Sequence, residues 1–325
     1  EKLIEVKNLT KMFSIGTLLV KTKIAAVEEV SFYIKSAEIF TLAGESGCGK
    51  TTTAKIILGF EEQTAGEIFF ERKPMTFWKR KRLQFLQKVQ AVFQNPFESF
   101  NQLRTVDDIF FETVYNYKMA QGRNRATELI DDRLKSVGLS FQEINGRYPG
   151  ELSGGQLQRA SIARALITNP TLLVTDEPVS MVDASLRMSI VNLFAQLRDR
   201  MQLSILYITH DLSTAYQIGD EMVILFQGVV AERGHTVEII ENPKHPYVQE
   251  LIASIPAPNP KRKWDTDIKL PPEDATRLQP SRGCHFYARC PARMERCRTE
   301  MPPLYSVGGN GHQASCFLYE AGAAR

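Results

Sequence analysis

The sequence predicts an α/β fold: a mostly parallel sheet with an antiparallel β subdomain and an inserted helical subdomain, followed by a small Cys-rich C-terminal extension. Three observations predict it. Gly-Glu-Ser-Gly-Cys-Gly-Lys-Thr at 44–51 lies between an apolar strand-like stretch and a helix-like one, strand-like and helix-like stretches alternate from Leu172 onward, and four of the five cysteines fall between Cys284 and Cys316. At 325 residues, 43% hydrophobic and 24% charged, the chain has ordinary globular composition. Its net charge of +3 is too mild to argue for nucleic acid, and the basic run Lys79–Arg82 beside Phe77 and Trp78 is expected to be a solvated helix face. No apolar stretch approaches the ~18 residues that span a bilayer. The chain opens on Glu-Lys-Leu-Ile-Glu-Val, charge rather than a signal segment, so a cytosolic location is expected, with any membrane work done through other subunits.

Strand-like segments at Leu3–Lys7, Val27–Ile34, Ile39–Leu42 and Glu67–Phe70 form the antiparallel-leaning N-terminal piece. Ile39–Leu42 leads into the glycine-rich run and Thr52–Leu58 carries the helix that follows it. A phosphate chain needs a backbone that bends tightly around it, and Gly44, Gly47 and Gly49 remove the Cβ atoms that would block the approach. Lys50 then reaches the β- and γ-phosphates, the Thr51 hydroxyl is placed to ligate Mg²⁺, and the helix start adds its positive dipole end. Glu45, Ser46, Cys48 and Thr52 complete the predicted ATP-binding set of this loop. Helical spacing returns at Val106–Tyr117 and Arg125–Val137, inside a subdomain expected over about 95–165. Thr171–Glu177 is an apolar run ending in two carboxylates. At the carboxyl end of a parallel strand these suit an Asp176 that holds Mg²⁺ through water and a Glu177 that polarises an attacking water. Strands at Leu203–Ile208, Met222–Phe226 and Val229–Ala231 complete the sheet, and the domain closes near Asn242.

Leu152–Gln156 reads Leu-Ser-Gly-Gly-Gln before the helical run Ala160–Ile167, a second anion-binding helix end with a hydroxyl and unblocked N–H groups. One chain already has its phosphate cradle, so the second is surplus unless it serves a nucleotide held by another chain. With these elements in this order, the chain closely resembles the ATP-binding cassette (ABC) ATPases. The resemblance implies a P-loop ABC nucleotide-binding domain over 1–242, hydrolysing ATP with Mg²⁺. It implies that Ser153, Gly154, Gly155 and Gln156 cover the nucleotide of a facing subunit, either identical or homologous. Gln94, in Val-Phe-Gln-Asn-Pro-Phe, takes the place of the glutamine that senses Mg²⁺ or water, and His210, in Tyr-Ile-Thr-His-Asp, that of the histidine at the γ-phosphate. Glu177, His210, Lys50 and Gln94 are thus the expected catalytic group. Asp183 resembles the aspartate of the loop that crosses to the opposite subunit, although Ser180-Met181-Val182 replaces the usual Ser-Ala-Leu before it. Phe13 falls where the family stacks an aromatic on adenine, and could equally be core.

No internal repeat is visible, so one chain holds one cassette and two must meet. Pro243-Lys244-His245-Pro246-Tyr247, running on to Pro256, resembles the segment that follows the cassette in oligopeptide and dipeptide ABC importers. That implies two transmembrane permease subunits, an extracytoplasmic solute-binding protein, and a peripheral position on the cytoplasmic face of the membrane. Oligosaccharide or nickel as cargo stays open. A soluble ABC-type ATPase acting on nucleic acid or the ribosome is the reading from another class; neither tandem cassettes nor a coiled-coil insertion favours it. Residues 243–280 are expected to form a short helix and a linker with six prolines between Pro256 and Pro280. In 281–325, Cys284, Cys290, Cys297 and Cys316 are spaced C-x5-C-x6-C-x18-C. Clustered thiols in a reducing compartment favour a metal, and this spacing fits neither knuckle of structural zinc. Spacing alone leaves the identity of the metal open; the resemblance to the C-terminal motif of peptide-importer ATPases implies a [4Fe–4S] cluster on the four thiolates, with zinc as runner-up, free buried thiols last, and His285 and His312 outside the ligand set.

Overall fold

A computed structural model describes residues 1–16, 21–254, 282–309 and 311–320. The linker expected over 256–280 lies outside the described residues. Two long strands, β1 (Lys2–Gly16) and β2 (Lys21–Lys35), pair antiparallel, and β3 (Ile39–Ala43) runs into the glycine-rich loop and α1 (Lys50–Ile57). Both long strands outrun the predicted segments, because irregularities in their register let the pairing continue past breaks in the apolar alternation. β4 (Ala65–Phe70) and β5 (Lys73–Pro74) complete a four-stranded antiparallel sheet in the order β2-β1-β4-β5.

After α2 (Met75–Arg80) and α3 (Arg82–Lys88) comes β6 (Val89–Val92), a strand not among the predicted segments. The basic run Lys79–Arg82 is exposed across the α2–α3 break, while Trp78 is buried and its indole N–H donates to the Phe70 carbonyl at 2.9 Å. The helical subdomain holds α4 (Pro96–Ser99), α5 (Val106–Asn116), α6 (Arg123–Ser136), α7 (Phe141–Ile144) and α8 (Gly154–Leu166). Then β7 (Leu172–Asp176), α9 (Ala184–Met201), β8 (Ser204–Thr209), α10 (Leu212–Ile218), β9 (Glu221–Phe226) and β10 (Val229–His235) alternate as predicted. α11 (Thr236–Glu241) and α12 (Pro246–Ala253) follow.

The large sheet has the order β11-β12-β10-β9-β3-β8-β7-β6, where β11 (Tyr305–Ser306) and β12 (Gln313–Ala314) come from the Cys-rich region. β9, β3, β8, β7 and β6 are mutually parallel. Every residue of β3 and β8 is buried, as expected of strands covered on both faces. One core lies between the two sheets and α1, with Phe32 and Phe40 stacked at 4.9 Å. A second joins α5, α6, α8 and α9 to the opposite face of the large sheet.

The segment after β10 is anchored by Glu232, a wholly buried carboxylate. It accepts the backbone N–H of Lys244 at 3.1 Å and of His245 at 2.7 Å, and the His312 ring at 2.6 Å. These charge-assisted bonds seat both α12 and the C-terminal strands on β10. His245 caps α12 by accepting the Tyr247 N–H on Nδ1 at 3.1 Å, and burial pushes its imidazole down to about 4 from the ordinary 6.5. The unfolded chain therefore takes up this proton first. The stabilisation is complete above pH ~6.5 and is lost as pH falls toward about 4, to a total of about 3 kcal/mol. His245→Asn keeps a capping acceptor without a titrating ring. Urea unfolding across pH 7 to 4.5 is expected to show a shallower acid loss for the variant than for the parent chain.

Candidate functional site

The site is built at the carboxyl ends of four adjacent parallel strands. Val92 is level with Thr175, Asp176 with Ile208, and Thr209 with Ala43, so the loops after β6, β7, β8 and β3 start side by side. Three of the predicted catalytic side chains meet there. The Glu177 carboxylate accepts from Gln94 Nε2 at 3.0 Å on one oxygen and lies 2.9 Å from His210 Nδ1 on the other. Glu177 holds φ at +47°, a left-handed conformation uncommon outside glycine, which the Glu177 N–H bond to the Ile208 carbonyl at 2.9 Å and the Ser180 hydroxyl bond to the Glu177 carbonyl at 3.0 Å help to fix. Strain of this kind, tied on both sides, aims the carboxylate away from its strand.

The glycine-rich loop lies on the other side of β8. Gly44 and Gly49 sit at φ +139° and +105°, and a Cβ would meet the Leu225 carbonyl at 2.2 Å in the first case and the Ala26 carbonyl at 2.3 Å in the second. Only glycine lets this backbone wrap so closely. Lys50 is buried, and its ammonium donates to the Gly44 and Glu45 carbonyls, each at 2.7 Å, so its charge is held inside the loop. Gly49 gives α1 no side-chain cap, leaving the first-turn N–H groups around Thr51 and Thr52 to an anion. Ser46 and Gly47 form the exposed rim, whereas Cys48 is buried and burial raises its thiol pKa.

Asp176 ends β7 beside this loop. Burial pushes its carboxyl pKa up, a hydrogen bond from the Thr51 hydroxyl works against that, and Oδ1 has no hydrogen-bond partner. An orphaned carboxylate oxygen beside a threonine hydroxyl, both oxygen ligands, fits Mg²⁺. Gln94 donates its amide nitrogen to Glu177, so its carbonyl oxygen is not the atom that contacts the carboxylate.

Other predicted residues stand apart from this group. Ser153 caps α8 by accepting the Gln156 N–H at 3.2 Å while Gln156 accepts the Ser153 N–H at 3.0 Å, so the side chain of Gln156 is spent on the cap. Gly154 and Gly155 are the first residues of α8, and a Cβ on Gly155 would come within 3.0 Å of Leu186 in α9. No hydrogen bond joins Ser153–Gln156 to the glycine-rich loop among the described residues. Asp183 is exposed at the start of α9, and the unusual Met181-Val182 pair divides its roles: Val182 is buried in the helical core while Met181 is exposed. Phe13 is 37% exposed within β1, with the Lys11 ammonium 4.9 Å above its ring, so it is not core.

Two contacts to the loop had no assigned role in the sequence reading. The Glu45 N–H donates to the Tyr247 hydroxyl at 3.0 Å, and the Glu45 carboxylate is gripped by Arg289. The His-Pro-Tyr string marked Tyr247 only as part of a family segment, and nothing in the spacing tied residue 247 or residue 289 to residue 45.

Cys284, Cys290, Cys297 and Cys316 are all free and line one small apolar pocket with Phe286 and Phe317. Burial pushes the thiols of Cys284 and Cys316 up to about 11. Among the described residues, no group of three or more His, Cys, Asp or Glu stands so as to hold a metal ion. His285 is turned to the Gln227 carbonyl at 3.1 Å and His312 to Glu232.

Residues 27–180 match the family described as ABC transporter. The chain is 35% identical, over its whole length and 92% of the relative, to a probable peptide ABC transporter ATP-binding protein of Sinorhizobium fredii. It is a member of the ABC transporter family. Residues 231–297 match the oligopeptide/dipeptide transporter C-terminal region. An oligopeptide transport ATP-binding protein, OppF, of Streptococcus pyogenes is 37% identical over 93% of this chain and 99% of its own, and AppF of Bacillus subtilis is 34% identical over 98% of each. Among solved structures, an ATP-binding cassette in a dimeric post-hydrolysis state bound to ADP and Pi superposes with a TM-score of 0.63 at 27% identity, over 72% of this chain and 98% of the other. As an ABC ATPase, the chain uses ATP with Mg²⁺. Gly44→Ala is expected to weaken ATP binding at least about tenfold, since the loop must open to clear the Leu225 carbonyl. Titration with a fluorescent ATP analogue checks it.

Proposed function

We propose that this ABC transporter subunit energises import of peptides from the cytoplasmic face of the membrane, as one of two facing cassettes that drive two transmembrane permease subunits fed by an extracytoplasmic solute-binding protein. The observation that carries the ATPase part is the Glu177 carboxylate suspended between Gln94 and His210, next to a loop holding a buried lysine. The oligopeptide/dipeptide C-terminal match over 231–297 supports peptide as the cargo. No helix among the described residues is long and apolar enough to cross a membrane, so the permease is assigned to other chains.

In this mechanism the Lys50 ammonium exchanges the Gly44 and Glu45 carbonyls for the β- and γ-phosphate oxygens as ATP seats on Gly44–Thr52. Thr51 and Gln94, with Asp176 behind them, would hold Mg²⁺, which would supply charge neutralisation at the phosphates. Glu177 orients the attacking water, and His210, with its side chain 57% exposed, reaches the γ-phosphate from the opposite side of the carboxylate. The capped N-terminus of α8, with Ser153, Gly154 and Gly155, closes over the nucleotide of the facing subunit, and Asp183 crosses beside it. Phe13 offers an exposed ring to the adenine. The segment Asn95–Thr105, with Leu103 87% exposed, is the bearing surface for a permease helix.

We assign a [4Fe–4S] cluster to Cys284, Cys290, Cys297 and Cys316. What supports it is that four free thiols line one apolar pocket, at a spacing that does not match the paired knuckles of structural zinc. The thiols raised by burial must lose protons on loading.

Glu177→Gln is expected to lower ATP turnover at least about a hundredfold and to accumulate a nucleotide-bound dimer on light scattering. Unchanged phosphate release would remove Glu177 from its role. Purified anaerobically, the chain is expected to show visible absorption with matched iron and sulfide; a colourless protein with one zinc per chain would overturn the cluster.

A further inference from the structure

Glu45 is the only acidic residue of the loop that takes the phosphates. Its backbone carbonyl already holds the Lys50 ammonium, so its carboxylate belongs to the same residue that contacts the phosphate-binding lysine. Left free, that charge would oppose the nucleotide.

The C-terminal segment answers it. Arg289 donates from Nη1 to Glu45 Oε2 at 3.1 Å and from Nη2 to Glu45 Oε1 at 3.0 Å, a two-pronged pairing that fixes orientation as well as charge. Nη2 also reaches Glu250 of α12 at 2.6 Å. The guanidinium rests against the rings of Phe286 and Phe226, at 5.4 and 5.7 Å from their centroids. The Arg289 and Cys290 N–H groups both donate to the Phe286 carbonyl at 3.0 Å, so one turn carries the guanidinium and a wall of the cysteine-lined pocket. Together with the Tyr247 hydroxyl on the Glu45 N–H, the backbone and the carboxylate of Glu45 are both held by the segment that follows the sheet.

We propose that Arg289 is a positioning residue for ATP: from the cysteine-lined segment it neutralises Glu45 and holds it back, so that the phosphate loop presents an uncontested positive seat. The proposal rests on the nucleotide site assigned above. Its consequence is that ATP affinity depends on a residue more than two hundred positions away in the chain, carried on a turn that moves with Cys290.

The test is a mutant cycle on the full chain, read by fluorescent-ATP titration and steady-state turnover. Arg289→Ala is expected to weaken ATP binding and raise KM about tenfold while kcat at saturating ATP stays within about threefold. Arg289→Lys, which keeps charge but not the fork, recovers part of the loss. In a Glu45→Gln background, Arg289→Ala is expected to change the ATP Kd by less than about twofold, because the charge to be neutralised is gone. Wild-type affinity in Arg289→Ala, or an equal loss in the Glu45→Gln background, overturns the proposal, the second result marking Arg289 as packing alone. Should Arg289→Ala not fold, Arg289→Met, which keeps the stem over Phe286, is read by the same criteria. Lys50→Ala separates the two levels. ATP binding that survives it overturns the site itself, whereas its loss alongside an unaffected Arg289→Ala overturns only the role of Arg289.

Discussion

Parallel pairing in fixed register, β6 to β7 to β8 to β3, is the constraint on which the rest of this molecule depends. Each parallel strand ends on the same edge of the sheet, so loops far apart in sequence begin within a strand spacing or two of each other. Gln94, Glu177, His210 and the glycine-rich loop come from four such ends. A slip of one residue in any of these strands would turn its side chains to the other face and carry the functional group away from its partners.

On that frame the site stores charge in a compact and deliberately unfinished state. The Lys50 ammonium is buried but satisfied by two carbonyls, while Asp176 keeps an oxygen with no partner. Buried polar groups normally find partners, so the orphaned oxygen leaves Asp176 with capacity to accept a further bond. Glu177 is the opposite case, with both oxygens engaged. The two contacts fix the direction of its carboxylate, and a group aimed in advance limits the reorganisation needed during reaction.

The C-terminal region is integrated into this assembly. Glu232 ties α12 and the Cys-rich strands to β10 through one buried carboxylate, and Arg289 and Tyr247 carry that attachment on to the phosphate loop. A peripheral segment thereby reaches a central loop through charge-assisted bonds that lose their geometry if either end shifts.

Local chemistry made much of this legible in the sequence. Gly44 to Thr51 reports itself because only glycine tolerates such close backbone approach, and Thr171–Glu177 because an apolar run ending in carboxylates has few other uses. β6 was not legible: Val-Gln-Ala-Val is too short to show a period, and it becomes a strand only by pairing with β7. β11 and β12 are two residues each and exist only against β10. Spacing showed that four thiols cluster but could not show that they line one pocket. The sequence by itself determined the phosphate loop, the order of the elements and the chemistry available at each strand end. The tertiary structure alone decided that Gln94 and His210 share the carboxylate of Glu177, and that Arg289 sits on Glu45. Those are contacts across the sheet and across the chain, and long-range partners are chosen by packing, which no local pattern encodes.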